Sequence, residues 1–219
     1  MKREKLAAVL LAAATVLGLA ASAGAVDGTI EINQAKVLAA GPFPYTINAS
    51  GSYRLTGNLN SGNTTGGILV APISGEVTID LNGFSITGPG SPFGGTGVDG
   101  EFATAVTVQN GTVTGFGVAG IVTGKNGIVR NVRATSNGVG IEGGDGTVFS
   151  DNAVNNNSGA GIDCNGLACL ISGNTIVGNS TGIFANNSTT GYGGNVLKNT
   201  TNVSGGTSLG HNLCSGVVC

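Results

Sequence analysis

Residues Val139 to Ala185 read VGIEGGDGTVFSDNAVNNNSGAGIDCNGLACLISGNTIVGNSTGIFA, and in that stretch a glycine followed by isoleucine returns at Gly140-Ile141, Gly161-Ile162 and Gly182-Ile183. The same pair stands one step earlier at Gly120-Ile121, so its sequence numbers advance by 20, 21 and 21. A second marker keeps the same period: along Asn110, Asn131, Asn152, Asn174 and Asn195 the numbers advance by 21, 21, 22 and 21. Two unrelated residue types sharing one period identify an internal repeat. Short β-branched runs such as Ile128-Val129 and Thr175-Ile176 lie between the markers. No window beyond position 25 carries an apolar stripe at helical spacing, so helix is expected only as a short cap.

So short a period suits a leucine-rich repeat or a parallel β-helix. The leucine consensus is missing, which leaves a solenoid of short strands joined by tight turns. Asparagine at one position of successive coils is expected to stack as an internal amide ladder, and the isoleucine after each glycine to stack in the core. Composition agrees. The 41 glycines in 219 residues far exceed the usual share of about 7%. There are only 5 prolines and no strict triplet period, which excludes collagen. A chain that is 40% hydrophobic and 9% charged is also unlike a disordered one.

Val77-Thr78-Ile79-Asp80-Leu81-Asn82-Gly83-Phe84-Ser85-Ile86 looks like a first-coil segment, and Val106-Thr107-Val108-Gln109-Asn110-Gly111-Thr112-Val113 echoes it. With the repeat, these segments resemble the right-handed parallel β-helix proteins of the pectate-lyase-like superfamily over roughly positions 67–205. The resemblance implies an all-β, right-handed parallel β-helix (solenoid) with one coil per period. It also implies an exported protein of the kind that acts on polysaccharide or sits at a cell surface. Residues 26–66 are then an N-terminal cap with the first strands, and 206–219 a C-terminal cap.

Segment 1–25 has a basic start (Lys2, Arg3, Lys5), an apolar run from Leu6 to Ala21 and the small residues Ala21-Ser22-Ala23-Gly24-Ala25. This is the pattern of a secretory signal peptide, too short in its apolar part for a spanning helix. No membrane span is expected after its removal, and the location is secreted, cell-surface or periplasmic. Loss of Lys2, Arg3, Lys5 and Glu4 takes the 9 basic and 11 acidic side chains to 6 and 10, so nucleic acid is not an expected partner. The cysteines fall as Cys164-x4-Cys169 and Cys214-x4-Cys219. Export favours two local disulfides; the competing reading is a zinc site of four thiolates, or of three with His211.

If coils stack in register, residues one period apart become neighbours. Lys125 then meets Asp145, and Arg130 meets Asp151. Glu142 and Asp163 each follow a repeat isoleucine, so both should point outward and stack, in a row running from Val122 to Phe184. Adjacent carboxylates hold a cation, share a proton, or are screened by solvent. Phe184 beside them would suit a sugar ring, with Arg130 and Arg133 as basic partners. Gly94-Gly95-Thr96-Gly97-Val98-Asp99 fits the start of a calcium nonapeptide, which would make Asp99 and Glu101 calcium ligands in a loop from Pro89 to Phe102. Glu101 breaks the motif, and a single copy lacks the neighbour that completes such a site, so no cofactor is expected unless calcium binds. Outward threonine rows of the kind that bind ice are not expected, because Thr78, Thr107, Thr112 and Thr114 do not recur at the period.

The Asn-Thr-Asp, Asp-Asp, Gly-His-Gly and Arg-Ile-Lys set of polygalacturonase-like enzymes is absent; Gly210-His211-Asn212 echoes one part of it. The expected function is a non-catalytic exported β-helix that binds carbohydrate or serves as a surface or matrix component. The alternatives are a small polysaccharide lyase or glycosidase using Glu142 and Asp163, and a purely structural or adhesive solenoid.

Overall fold

The computed structural model describes residues 28–62, 66–90 and 94–219; the segment 1–25, expected to be a signal peptide, lies outside them. The chain is a parallel β-solenoid of about 9 turns with ~21-residue coils. A representative coil has three short strands, Val148–Ser150, Ala153–Asn155 and Ala160–Cys164. Among the described residues the first two belong to a 16-stranded sheet and the third to an eight-stranded sheet. Among the described residues every strand pairing is parallel except the last, where Leu213–Cys214 meets Val217–Val218 antiparallel.

The bend between the first two strands of a coil needs a left-handed backbone, which favours Asn, Asp and Gly. Asn110, Asn131 and Asp151 occupy it with φ of 61°, 53° and 56°, and Gly173 and Gly194 follow with 69° and 67°. The expected ladder therefore splits. Asn110 and Asn131 sit at the outer corner, where Asn131 Nδ2 donates to Asn110 Oδ1 and Asn110 Nδ2 to Asp80 Oδ1. The buried ladder starts one residue later in the coil, with the Val132 amide donating to Asn152 Oδ1. It runs through Asn152, Asn174, Asn195 and Asn212. Asn152 N and Nδ2 both donate to Asn174 Oδ1 at 3.0 Å, and Asn174 repeats this onto Asn195 at 3.0 Å. The same slip places Arg133 opposite Ala153, an outward position, and Ala134 opposite Val154 in the core.

A second ladder, which the sequence markers do not reveal, runs through Asn137, Asn157, Asn179 and Asn199. The repeat isoleucines Ile121, Ile141, Ile162 and Ile183 are all fully buried and share one core with Phe149 and Ile171. The glycine before each isoleucine is fixed by close approach. A Cβ on Gly140 would stand 2.5 Å from the Gly161 carbonyl oxygen and 2.8 Å from Asn157 Nδ2. Only a residue without Cβ lets neighbouring coils come to strand distance there.

At the N-terminal end the helix Gln34–Ala40 buries Val37, and the Asn33 side chain caps it by accepting from the Lys36 amide at 3.0 Å. The region 206–219 continues the solenoid further than a cap would, since Leu213 pairs with Val196 before the chain reverses. Both disulfides are local, Cys164–Cys169 and Cys214–Cys219, which removes the zinc reading. No helix among the described residues is long and apolar enough to cross a membrane.

Candidate functional site

On the eight-stranded sheet, register alone assembles an outward row. Leu69 pairs with Asp99, Asp99 with Val122, Val122 with Glu142, Glu142 with Asp163, and Asp163 with Phe184. The flanking Ile141 and Ile162 point into the core, so alternation turns Glu142 and Asp163 outward. Adjacent rungs of a sheet are ~4.8 Å apart, and the two carboxylates are held side by side.

Their environments differ. Glu142 Oε1 accepts from Asn165 Nδ2 at 2.5 Å, and Asn165 Oδ1 in turn accepts from Asn186 Nδ2 at 3.2 Å. Asn165 lies in the short loop closed by Cys164–Cys169, so the disulfide helps to position the amide that holds Glu142. Asp163 lies between Glu142 and Phe184, and its Oδ1 is buried without a hydrogen-bond partner among the described residues. Burial, and secondarily the neighbouring Glu142 charge, push the Asp163 carboxyl up to about 6.

Beside the row opens a cleft of about 290 Å³, lined among others by Glu101, Val122, Lys125, Glu142, Asp145 and Asn165. Lys125 Nζ lies 3.1 Å from Asp145 Oδ2, as the spacing predicts. The Leu167 amide, which donates to Asp145 Oδ1 at 2.9 Å, and then Lys125, hold the Asp145 carboxyl below its ordinary value.

Several expected site residues stand elsewhere. Arg130 and Arg133 belong to the 16-stranded sheet, away from the carboxylate row. Arg130 pairs in register with Gln109 and Ser150, and donates from Nε and Nη2 to Gln109 Oε1 at 2.9 and 2.7 Å. Its expected bridge to Asp151 is not formed, because Asp151 occupies the corner rather than the strand. The end of the expected calcium loop that carries Asp99 is strand. Thr96–Gly100 is a full rung of the eight-stranded sheet, and Asp99 Oδ1 accepts from the Glu101 amide at 3.2 Å. Among the described residues no three His, Cys, Asp or Glu side chains converge as a metal site. Exposed His211 is a corner residue with φ 59°.

Two features of the site leave no mark in the repeat. Asp99 belongs to the carboxylate row, but the sequence number advances by 30 from Leu69 to Asp99 and by 23 from Asp99 to Val122, outside the period. Asn165 stands out in the sequence only as the residue after Cys164. Threonines do stack, Thr87 on Thr114 and Thr114 on Thr135, contrary to expectation. The row then passes to Asn155 and Val177, and the accompanying row contains Arg133, so no regular threonine face forms.

The raised Asp163 carboxyl has a stability consequence. Below pH 3.8 the group is protonated in folded and unfolded chains alike. Between 3.8 and about 6 the folded chain retains a proton that the unfolded chain gives up, so this group's contribution makes stability fall as pH rises through that window. Asp163→Asn should therefore raise the melting temperature above pH 6 relative to the unsubstituted chain, with the difference vanishing in acid below 3.8. Calorimetry across pH checks this; a constant difference at all pH values contradicts the assigned burial.

The chain matches no protein-family model, no curated protein and no solved structure.

Proposed function

We propose that the protein is an exported, non-catalytic β-helix whose eight-stranded face binds polysaccharide along the row Val122, Glu142, Asp163 and Phe184. The observation that supports this most directly is the in-register stacking of Glu142 and Asp163 between two apolar side chains. Carboxylate oxygens accept hydrogen bonds from sugar hydroxyls, and half-buried Phe184 offers apolar surface to the C–H face of a ring, whereas buried Val122 closes the other end of the row. The rigid solenoid pre-organises the row, which limits the ordering cost of binding. Two disulfides are consistent with an extracellular setting, and the leader-like segment 1–25 supplies a route there. The fold-level resemblance to pectate-lyase-like proteins supports the carbohydrate class, not a reaction.

A lyase needs a free basic group at the carboxylates; Arg130 and Arg133 lie on the other sheet, and Lys125 in the cleft is paired with Asp145. One observation favours a hydrolytic second reading: the carboxyl raised to about 6 beside another carboxylate is the pairing that glycoside hydrolysis uses. A glycan array separates the readings. Binding to at least one plant or microbial polysaccharide is expected, weakened about ten-fold or more by Glu142→Ala with Phe184→Ala, equivalent to ~1.4 kcal/mol. Retention of no glycan, or unchanged retention in the double variant, removes the proposal. Release of reducing ends that stops in Glu142→Gln and Asp163→Asn replaces it with the hydrolytic reading.

A further inference from the structure

The chain contains five Asn-Gly dipeptides, at Asn82, Asn110, Asn126, Asn137 and Asn165. Glycine after asparagine leaves the following amide nitrogen unobstructed, so each is chemically able to cyclise. Their environments are unequal. Asn82 Nδ2 donates to the Leu55 carbonyl at 3.1 Å and the Gly83 amide to Asn110 O at 2.6 Å. Asn110 is held at both ends, by Asp80 and by Asn131. Asn137 is buried in the second ladder, and the Gly138 amide donates to Phe116 O at 2.8 Å. Asn165 is held by Glu142 and Asn186.

Asn126 differs from all four. It is exposed with φ 56° in the turn after Lys125. Its carboxamide has no hydrogen-bond partner among the described residues, and neither has the Gly127 amide; only the Asn126 backbone amide is anchored, to Asp145 O at 2.8 Å. Both reacting groups are therefore free of the bonds that must break before reaction at the other positions.

We infer that Asn126 is a self-modifying position, whose carboxamide converts to a carboxylate without an enzyme. The deprotonated Gly127 nitrogen attacks Asn126 Cγ, a new N–C bond closes a five-membered succinimide, and Nδ2 departs as ammonia. Water then adds to one of the two imide carbonyls and breaks one C–N bond, leaving aspartate or isoaspartate at position 126. No oxidant or reductant is consumed; one water enters and one ammonia leaves.

The product changes the rim of the cleft. A Cβ placed on Gly146 would lie 2.9 Å from Asn126 Oδ1, so the new carboxylate forms at the corner next to Asp145. Lys125, the cation of that corner, already pairs with Asp145. One negative charge is added where acidic groups already outnumber basic ones, and the isoaspartate branch also lengthens the turn by one backbone carbon. An ageing population of the protein thus divides into charge forms that differ at one defined place, whatever ligand the neighbouring row binds.

The test is incubation of the folded full chain in oxygen-18 water at mildly alkaline pH, with peptide mapping by mass spectrometry over time. Conversion at Asn126 is expected about ten-fold or more faster than at each of the other four dipeptides, a difference of ~1.4 kcal/mol in barrier. The label should appear in both aspartyl and isoaspartyl peptides. In denaturant the five rates should draw together, showing that the fold and not local sequence selects the site. Faster or equal conversion elsewhere in the folded chain, or conversion at Asn126 only after denaturation, overturns the inference.

Discussion

Asn174→Ala is expected to lower the unfolding free energy by roughly 3–5 kcal/mol, read from urea or thermal unfolding, whereas Asn131→Gly should leave it within about 0.5 kcal/mol. Both asparagines mark the same sequence period, and only their surroundings separate them. Asn174 is 1% exposed. Its Oδ1 takes two donors from Asn152, and its Nδ2 bonds to Phe149 O, Ser172 O and Asn195 Oδ1. Truncation strands the Asn152 amide and one of the two N–H bonds of its carboxamide, which keeps its bond to Val129 O, and each buried unsatisfied group costs ~1–3 kcal/mol. Asn131 is exposed at a left-handed corner, a conformation glycine adopts without strain. Equal losses at the two positions would contradict the division into inner ladder and outer corner.

The second large effect is steric. Gly140→Ala should cost at least ~3 kcal/mol, to the point that little folded protein is recovered, while Gly57→Ala should be nearly neutral. A Cβ at position 140 meets Val154 Cγ1, the Gly161 carbonyl oxygen at 2.5 Å and Asn157 Nδ2 at 2.8 Å. The carbonyl belongs to the next coil and is fixed by sheet pairing, so the clash cannot be relieved by turning a side chain. At Gly57 the nearest atom is Asn33 Cβ at 4.0 Å and φ is ordinary. Because Gly140 stands just before Ile141 and Glu142, a partly folded variant should also lose alignment of the carboxylate row. A melting temperature unchanged by Gly140→Ala would mean that the coils are not as closely stacked as described.

How far the sequence could be read depended on whether coil length was constant. Between Val122 and Phe184 the coils of the eight-stranded sheet keep nearly one length, and the meeting of Val122, Glu142, Asp163 and Phe184 followed from counting. Before Ala119 the coils are longer, so Asp99 looked like part of a loop motif although it fills a rung of the same row. Asparagine misled for a physical reason. It serves equally well in a left-handed corner and as a buried carboxamide, and the two positions are adjacent in the coil. A one-residue slip at Asn131 therefore preserved the period while exchanging the role. Counted from Asn131 as a ladder position, Arg133 would fall level with the core residues Val154 and Ile176, whereas the register sets it opposite Ala153. Asn137, Asn157, Asn179 and Asn199 recur at sequence separations of 20, 22 and 20, but in so asparagine-rich a chain the second ladder had no contrast. The Asn165 hold on Glu142 depends on how the cystine loop folds over the sheet, which no spacing encodes.

The buried ladders also have a direction. In every rung from Asn152 to Asn195 an Nδ2–H points toward the following coil, and Oδ1 receives from the preceding one. The amide dipoles are thus aligned head to tail along the solenoid axis, and each polarises the next. A rung in the middle is strengthened from both sides. Asn212, at the end, instead places Nδ2 near Tyr192 O and Ser208 Oγ at 3.3 and 3.2 Å. Identical side chains in identical corners are therefore not energetically identical, and a solenoid built from repeats acquires a stiff centre and softer ends from electrostatics alone.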